Sequence, residues 1–596
     1  MTSCVKAVVL AAALLGYASL FQKRKLPLCF FPIAFVSGVS LTLYGFGFFG
    51  ALKVGCYAIL LCGVLMLLVN HKHFQIRALK RIIADPVVLF CIVSCIWLFA
   101  ITRGAALSHW DDGSHWYRIC KSMYVEGAFP TTPDILYYNY VPGCQLWVYF
   151  VLQFVDFSMQ GCMFAQGLIN IACVAVLFAG LRGARSLTEK AFLIAIAAAG
   201  AVGLCSMDIG TYALLVDLQL GLTAMALLIL LLDQGERTDA LVLAGILCSF
   251  LLLIKNSAVF FALTIFLWAL VRYRWKGKKL LGCAFGLVGI PLVLRSAYAV
   301  RAGIVYASGA ASPQSISLER FGEMLALKDA ESLAVFTKRF LFKLFIGDTG
   351  LSMAVYVCIG LLALLIVCLH LEGRKEEMAR VRLNLFFGLG MLAAYAVMLY
   401  GTYLLTMSVG EMTSVNSFYR YFGSMVIVFA GMTVYTAMVC GALPGREPMM
   451  RLCVLSMILF AVLAMPGAYS KRFIWGHGRV DLPDNYSRTL WRTMSYVLPE
   501  NRRYTDAHYV VLWNPAEFSD GILYNQQIEY AIGAWLRSAR VDAVPVNEFE
   551  HGLSQARRDS LASCDYLVFL SDLSQERELL APYFDTEDLT TGIKEN

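Results

Sequence analysis

The sequence predicts an all-α polytopic membrane protein that crosses the bilayer about fourteen times, followed by a small C-terminal α/β domain outside the membrane. Three observations predict it. Of 596 residues, 59% are hydrophobic and only 15% are charged, against about 25% charged in soluble proteins. The deficit is regional: long stretches carry almost no charge, while residues 468–596 have an ordinary composition. The basic residues sit in short clusters between apolar runs, the pattern that orients helices in a membrane.

A span needs roughly 17–25 apolar residues. Candidate spans lie near 5–21, 26–46, 51–70, 86–104, 161–181, 190–207, 212–232, 239–255, 257–272, 279–298, 348–370, 383–407, 417–440 and 450–467. In the first, only Lys6 precedes the apolar core, while Lys23, Arg24 and Lys25 follow it. A cleaved signal peptide has the opposite polarity, so this is read as a retained span with its N-terminus outside. The run 143–157 is short and begins Pro142-Gly143, which suits a helix in the outer interface. With that assignment every basic cluster falls on one side: Lys23–Lys25, Lys72–Arg81, Arg182–Lys190, Arg272–Lys279, Arg374–Arg382 and Arg446–Arg451. That side is the cytoplasm. The loops 105–160 and 299–347 and the tail are then external.

The chain divides into N-terminal spans over 1–85, a membrane module over 86–467 and the tail over 468–596. Within the tail, His508–Trp513 and Tyr566–Leu570 read as strands between helical patterns. The net charge of +8 does not imply nucleic acid, because the basic residues are those that orient the spans. Most of the eighteen cysteines lie in apolar runs, where they act as small hydrophobes. Cys120 and Cys144 share one external loop and could bridge. No CxxC or Cys/His metal spacing occurs.

The external loop opens with His109-Trp110-Asp111-Asp112-Gly113-Ser114-His115-Trp116. Ionised residues at a membrane boundary are expensive and tend to have a task. An Asp here can act as a general base or hold a divalent cation; the bland reading is a solvated carboxylate. The aromatic residues also suit an interface belt. Further on come Lys121–Pro130 and Tyr140-Val141-Pro142-Gly143-Cys144-Gln145-Leu146-Trp147. Lys255, in Leu252-Leu253-Ile254-Lys255-Asn256-Ser257, interrupts an apolar stretch at an outer turn. It is read as a phosphate contact, or else as a snorkelling lysine. Arg295 ends a span on the outer side, and Arg420-Tyr421 opens a later one. Guanidinium binds phosphate bidentately; pairing with Glu411 is the structural alternative for Arg420.

The order acidic pair, amphipathic helix, Gly, Phe-Pro, then Pro-Gly with an aromatic helix resembles the first external loop of the GT-C superfamily. That superfamily includes protein O-mannosyltransferases, bacterial aminoarabinose transferases and oligosaccharyltransferases. The resemblance covers roughly residues 86–300, and 340–470 only by hydropathy and topology. It implies that Asp111 lies at the reaction centre, with Asp112 as the second acidic residue of the pair. It places a further acidic residue in the turn Met207–Asp217: Asp217, with Asp208 as the alternate. Either could share a divalent cation with Asp111, or cap a helix. The family's Thr-Lys-Gly is Ile254-Lys255-Asn256 here, so only Lys255 carries over.

The resemblance therefore implies a glycosyltransferase, transferring a hexosyl or pentosyl group, in the plasma membrane. The donor is a polyprenyl-phosphate sugar, and the acceptor a cell-surface glycan, lipid or protein on the outer face. Attack opposite the leaving phosphate inverts the anomeric centre. Asp111 and Asp112 are the catalytic candidates. Lys255, Arg295, Arg420 and Tyr421 are the donor-phosphate candidates. His115, Trp116 and Tyr140 are the sugar- or acceptor-binding candidates. A divalent cation is the one cofactor expected, and membrane lipids are the other partners. The rival readings are a transporter or flippase for a polyprenyl-linked glycan and a non-catalytic cell-envelope assembly protein.

Overall fold

The computed structural model describes residues 3–70, 85–103, 111–131, 139–155, 157–207, 213–306, 318–347, 350–441 and 447–464. In the tail it describes 494, 496–497, 507–515, 532, 541–583 and 591–595. Each of the fourteen apolar runs contains a described helix, and among the described residues ten helices are long and apolar enough to cross a membrane. Three more, Pro86–Thr102, Thr238–Leu252 and Ala258–Tyr273, are apolar but shorter, and the last is Glu447–Ala464.

In chain order the helices are α1 (Ser3–Lys23), α2 (Phe31–Gly47), α3 (Leu52–Val69), α4 (Pro86–Thr102), α5 (Tyr117–Glu126), α6 (Gly143–Val151) and α7 (Met159–Val174). Next come α8 (Leu187–Ser206), α9 (Asp217–Gln234), α10 (Thr238–Leu252), α11 (Ala258–Tyr273), α12 (Gly277–Ala284) and α13 (Ile290–Val305). The remainder are α14 (Leu318–Ala326), α15 (Ala330–Phe345), α16 (Gly350–Leu371), α17 (Lys375–Thr406), α18 (Val409–Ser414), α19 (Phe418–Gly441) and α20 (Glu447–Ala464).

Sequence fixes several helix starts. Asp85 caps α4 through its contact with the Val87 amide, ahead of a proline in the first turn. Ser186 and Glu189 close a reciprocal box on α8. Asp329 caps α15 through the Ser332 amide. Burial then sorts the spans. The most apolar stretches of α9 and α19 are 89% and 94% buried, whereas that of the α12–α13 span is 17% buried. Helices apolar all round but half uncovered are what a lipid solvent requires. Thus α9 and α19 form the centre, with lipid-facing helices around them.

Two sequence expectations change and one is refined. The segment at 143 is short, as expected, and every residue of α6 is buried in protein, so it packs inside the bundle and presents no free apolar face. Its Trp147 indole donates to the Ala165 carbonyl. Gly143 makes the close fit possible: a Cβ there would lie 2.4 Å from the Leu253 carbonyl oxygen. The span expected to end at 298 runs on to Val305 through a π-turn at Phe285–Gly289, so Arg295 lies within a helix and not at its end. Between residue 298 and Val305 the sequence has no proline, and the one glycine there, Gly303, only weakens a helix. Cys120 and Cys144 are both free and buried, so the loop carries no bridge between them.

The tail contains a four-stranded sheet in the order β2-β1-β3-β4, from β1 (Tyr509–Trp513), β2 (Val541–Pro545), β3 (Tyr566–Phe569) and β4 (Gly592–Glu595). The first three are parallel and β4 is antiparallel, with Val510 opposite both Asp542 and Leu567. Tyr509, Val511 and Trp513 pack with Ile532 on one face. Val510 and Leu512 pack with Leu561 on the other. Both faces are covered, which is why β1 reads as an unbroken apolar run. Both expected strands are present within one residue. At the sheet's edge Asp542 takes a hydrogen bond from Ser560 and lies 3.1 Å from the His508 ring. Burial pushes the Asp542 carboxyl up, but the hydrogen bonds of His508 and Ser560 and the charge of Arg557 outweigh it and hold the group below its usual range.

Candidate active site

Asp111 is followed by a π-turn over Asp112–Trp116 that leads into α5. Asp112 is fully buried, and its Oδ1 accepts the Leu214 amide at 2.7 Å. That bond ties the loop to the segment ahead of α9. Gln166 of α7 holds the same segment, donating to the carbonyls of Ala213 (3.2 Å) and Leu215 (2.9 Å). Asp217 therefore enters the first turn of α9 from an anchored backbone. Its side chain does not cap the helix; the N-cap is Val216.

The centre is a charge cluster drawn from four distant segments. Arg420 Nη1 lies 2.8 Å from Asp111 Oδ2, and its Nε lies 3.1 Å from Asp217 Oδ2. Lys255 Nζ lies 2.5 Å from Asp217 Oδ1. The side chains of Asp217, Arg420, Lys255 and Asp111 are 3, 13, 14 and 16% exposed, so the cluster is deep but open at the Asp111 end. The Tyr421 ring lies 4.6 Å from Lys255 Nζ and 5.2 Å from the Arg420 guanidinium, covering both cations with a π-face. Two carboxylates and two cations sum to zero, which lowers the cost of placing them in an apolar bundle.

Helix contacts set the register. Ser424, one turn after Arg420, donates to the Asp217 carbonyl at 2.9 Å. Gly221, one turn after Asp217, meets the Ser424 backbone so closely that a Cβ would lie 2.6 Å from its carbonyl oxygen. A small residue there lets α9 and α19 approach, and brings Arg420 against Asp217. Just before α19, Val415 and Ser417 have φ of 50° and 57°, a left-handed conformation that is costly for a β-branched residue. Side chains hold that kink. Arg339 donates to the Thr413 carbonyl (2.8 Å), Lys343 to those of Ser414 (3.2 Å) and Val415 (3.1 Å), and Tyr403 to that of Asn416.

The sequence-derived candidates divide on this geometry. Asp111, Asp217, Lys255, Arg420 and Tyr421 converge. Lys255 does not snorkel, and Arg420 does not pair with Glu411, which caps Ser408 instead. Asp112 sits beside the cluster in sequence but turns inward to the backbone. Arg295 donates to the Asn256 side chain at 3.0 Å, one residue from Lys255, and so braces the turn between α10 and α11. His115, Trp116 and Tyr140 form an aromatic group, with Trp116 stacked on Tyr140 at 5.2 Å and His115 5.3 Å from Tyr140. His115 and Trp116 are buried, and Tyr140 is half-buried. Asp208 lies outside the described residues.

The arrangement does not fit a divalent cation between Asp111 and Asp217. The Arg420 guanidinium already lies between them, both Asp217 oxygens face cations, and a metal would meet two positive groups at contact distance. Among the described residues no group of three or more His, Cys, Asp or Glu side chains converges elsewhere. Sequence reading missed Gln166, Gly221, Ser424, Arg339 and Lys343. Gln166 is a polar residue inside an apolar span, which is a usable signal. The others act through tertiary contacts that no local pattern reveals.

No family model and no curated protein matches the chain. Among solved structures it is similar to ArnT from Cupriavidus metallidurans bound to undecaprenyl phosphate, with 12% identity, 85% of this chain and 97% of that chain covered, and a TM-score of 0.42. It is also similar to the Archaeoglobus fulgidus oligosaccharyltransferase in complex with Zn and sulfate, with 12% identity, 83% and 70% covered, and a TM-score of 0.41. A third structure, the archaeal oligosaccharyltransferase AglB from the same organism with an inhibitory peptide and a dolichol-phosphate, has 10% identity, 83% and 71% covered, and a TM-score of 0.36.

Proposed function

We propose that this chain is a membrane glycosyltransferase that moves a sugar from a polyprenyl-phosphate donor to a cell-surface glycan, lipid or protein on the outer face of the plasma membrane. The observation that carries the reading is the charge cluster of Asp111, Asp217, Lys255 and Arg420. Four ionised groups inside an apolar bundle are costly, and such groups mark function by default. Their chemistry is specific: two cations suited to a phosphate, and one carboxylate at the open end suited to a hydroxyl. An apolar cavity of about 510 Å³ lies between α15, α16 and α17, and its wall includes Phe422, two residues from Arg420. A polyprenyl chain lying there brings its phosphate to the start of α19.

In the reaction the acceptor oxygen attacks the anomeric carbon, and the bond from that carbon to the phosphate oxygen breaks. The acceptor's proton passes to the Asp111 carboxylate. The departing phosphate takes its charge to Lys255 and Arg420, which stabilise it as it leaves. Asp217 is the resting counter-ion: it keeps both cations in place without donor and yields them in part when the phosphate arrives.

The test is purified protein with a panel of polyprenyl-phosphate sugars and product detection, run beside Asp111→Asn. Transfer from one donor, reduced about 10²–10⁴-fold in the variant, is the expected result. Transfer by the variant within threefold of wild type removes Asp111 from the reaction. A transporter would instead move labelled lipid across vesicles and form no product.

A further inference from the structure

A second groove is lined by none of the charge-cluster residues. It is about 610 Å³ and runs between α10 and the continuous helix of α12, the π-turn and α13, with Leu41 of α2 at its base. One wall is Leu241, Gly245 and Ser249; the other is Gly282, Gly286 and Ile290. It extends from Thr238 to Ser249 on one side and from Lys279 to Leu294 on the other. At 1.5 Å per residue that is about 16 to 22 Å, at least the depth of one leaflet, about 15 Å of a hydrocarbon core roughly 30 Å thick. The surrounding surface is the lipid face: Val242, Leu281 and Phe285 are 61, 71 and 65% exposed.

The groove exists because of two glycines. A Cβ on Gly282 or Gly286 would meet no atom within 4 Å. Each glycine is therefore an opening in the wall and not a packing contact. Phe285, the first residue of the π-turn, is 65% exposed and does not line the groove.

One end of the groove is strongly basic. Lys279 lines it, the connection before α12 carries Arg274 and Lys276, and the first turn of α12 carries Lys278, all three exposed. Arg237, next to Thr238, donates to the carbonyls of Lys25 and Arg24, which draws the Lys23–Lys25 cluster to the same end. Two acids at that end are engaged: Asp239 with Arg24 at 3.4 Å and Glu236 with Lys279 at 2.6 Å. Among the described residues no carboxylate pairs with Arg274, Lys276 or Lys278.

We propose that this groove is a binding site for an anionic phospholipid of the leaflet at the basic end. One acyl chain lies between α10 and α13, and the phosphate headgroup rests among Arg274, Lys276, Lys278 and Lys279. Basic pockets between spans select anionic headgroups by charge. The groove's length suits an acyl chain confined to one leaflet. Orienting the spans accounts for basic residues at this end, but not for an apolar slot, one leaflet deep, that leads to them.

Native mass spectrometry of the purified full chain in detergent tests this, with phosphatidylglycerol or phosphatidylcholine added at equal concentration. Wild type is expected to retain one phosphatidylglycerol with about tenfold preference. Lys276→Gln with Lys278→Gln, both exposed and unpaired with any described carboxylate, should reduce the preference to about twofold. Gly282→Leu with Gly286→Leu fills the slot with better helix formers, so the fold is retained while binding of both lipids is lost. Equal retention of the two lipids by wild type overturns the proposal. So does undiminished phosphatidylglycerol binding by the glycine variants.

Discussion

Lys255 is bound to an opposite charge before any donor arrives, and this changes how its role is tested. Lys255→Met leaves Asp217 with Arg420 alone, and breaking a buried pair typically costs about 3–5 kcal/mol. Loss of activity in that variant would report the fold as much as the chemistry. Adding Asp217→Asn removes both charges, while the contact between Arg420 and Asp111 remains. The double variant should recover the melting temperature. It should still bind donor about 10- to 100-fold more weakly, because a charge-assisted contact to phosphate is worth about 1.5–3 kcal/mol. Lys255→Arg should keep part of the affinity, since it keeps the charge. Donor binding by the double variant equal to wild type would move the phosphate site away from Lys255. At this scale the sequence was informative where a residue is costly. Asp111, Lys255 and Arg420 stand out because charge at a span boundary demands a reason. Asp112 has the same signature and a different use, since the partner that defines it, the Leu214 amide, lies about a hundred residues away.

Elements position these residues, and the kink before α19 is the clearest case. Two left-handed residues there store strain of about 1–3 kcal/mol each, held by Arg339, Lys343 and Tyr403. Arg339→Ala with Lys343→Met should release the kink and lower turnover about tenfold. Ser417→Gly, which takes positive φ freely, should restore much of the loss without restoring either charge. Failure of that suppression would mean that the two cations act on the lipid directly and not through the backbone. The tail offers a pH test. The Asp542 carboxyl titrates below its usual range in the fold. Its contribution to stability is therefore complete above the unfolded value of about 3.9 and is lost as pH falls through the lowered value. Hydrogen-exchange protection of Tyr509–Trp513 should be higher in wild type than in Asp542→Asn at pH 6, and the two should converge in strong acid. Equal protection at pH 6 would refute the coupling. Helices and strands were legible in the sequence because apolar length and period are local. The burial of α6 and the extension of α13 were not, because both depend on neighbours: Leu253 against Gly143 in the first case, and the continuity of the π-turn in the second.

For the whole molecule the decisive property is sidedness, since a polyprenyl-phosphate donor used on the outer face requires an outer site. The argument rests on the basic clusters. With the segment at 143 excluded as a span, all six fall on one side, and its nine-residue helix is too short to cross. Counting it as a span would place Arg182, Arg185 and Lys190 opposite Lys23–Lys25. Yet Arg237, on the turn between α9 and α10, reaches the carbonyls of Arg24 and Lys25, and Arg182 pairs with Asp233 at the end of α9. Those contacts join the clusters at one pole of the bundle, as the fourteen-segment reading requires. The even count then returns the chain to the side on which it began, so the tail should lie outside with the loop that carries Asp111. Cysteine labelling in intact cells measures this. Cys62 is the exposed native thiol among the described residues and is replaced first. A cysteine at Glu578, exposed in the tail, should react with an impermeant reagent in intact cells. A cysteine at Lys278, exposed at the basic pole, should react only after permeabilisation. The reverse pattern would place the charge cluster on the cytoplasmic face, where nucleotide sugars are at hand, and remove the reason for a polyprenyl-linked donor.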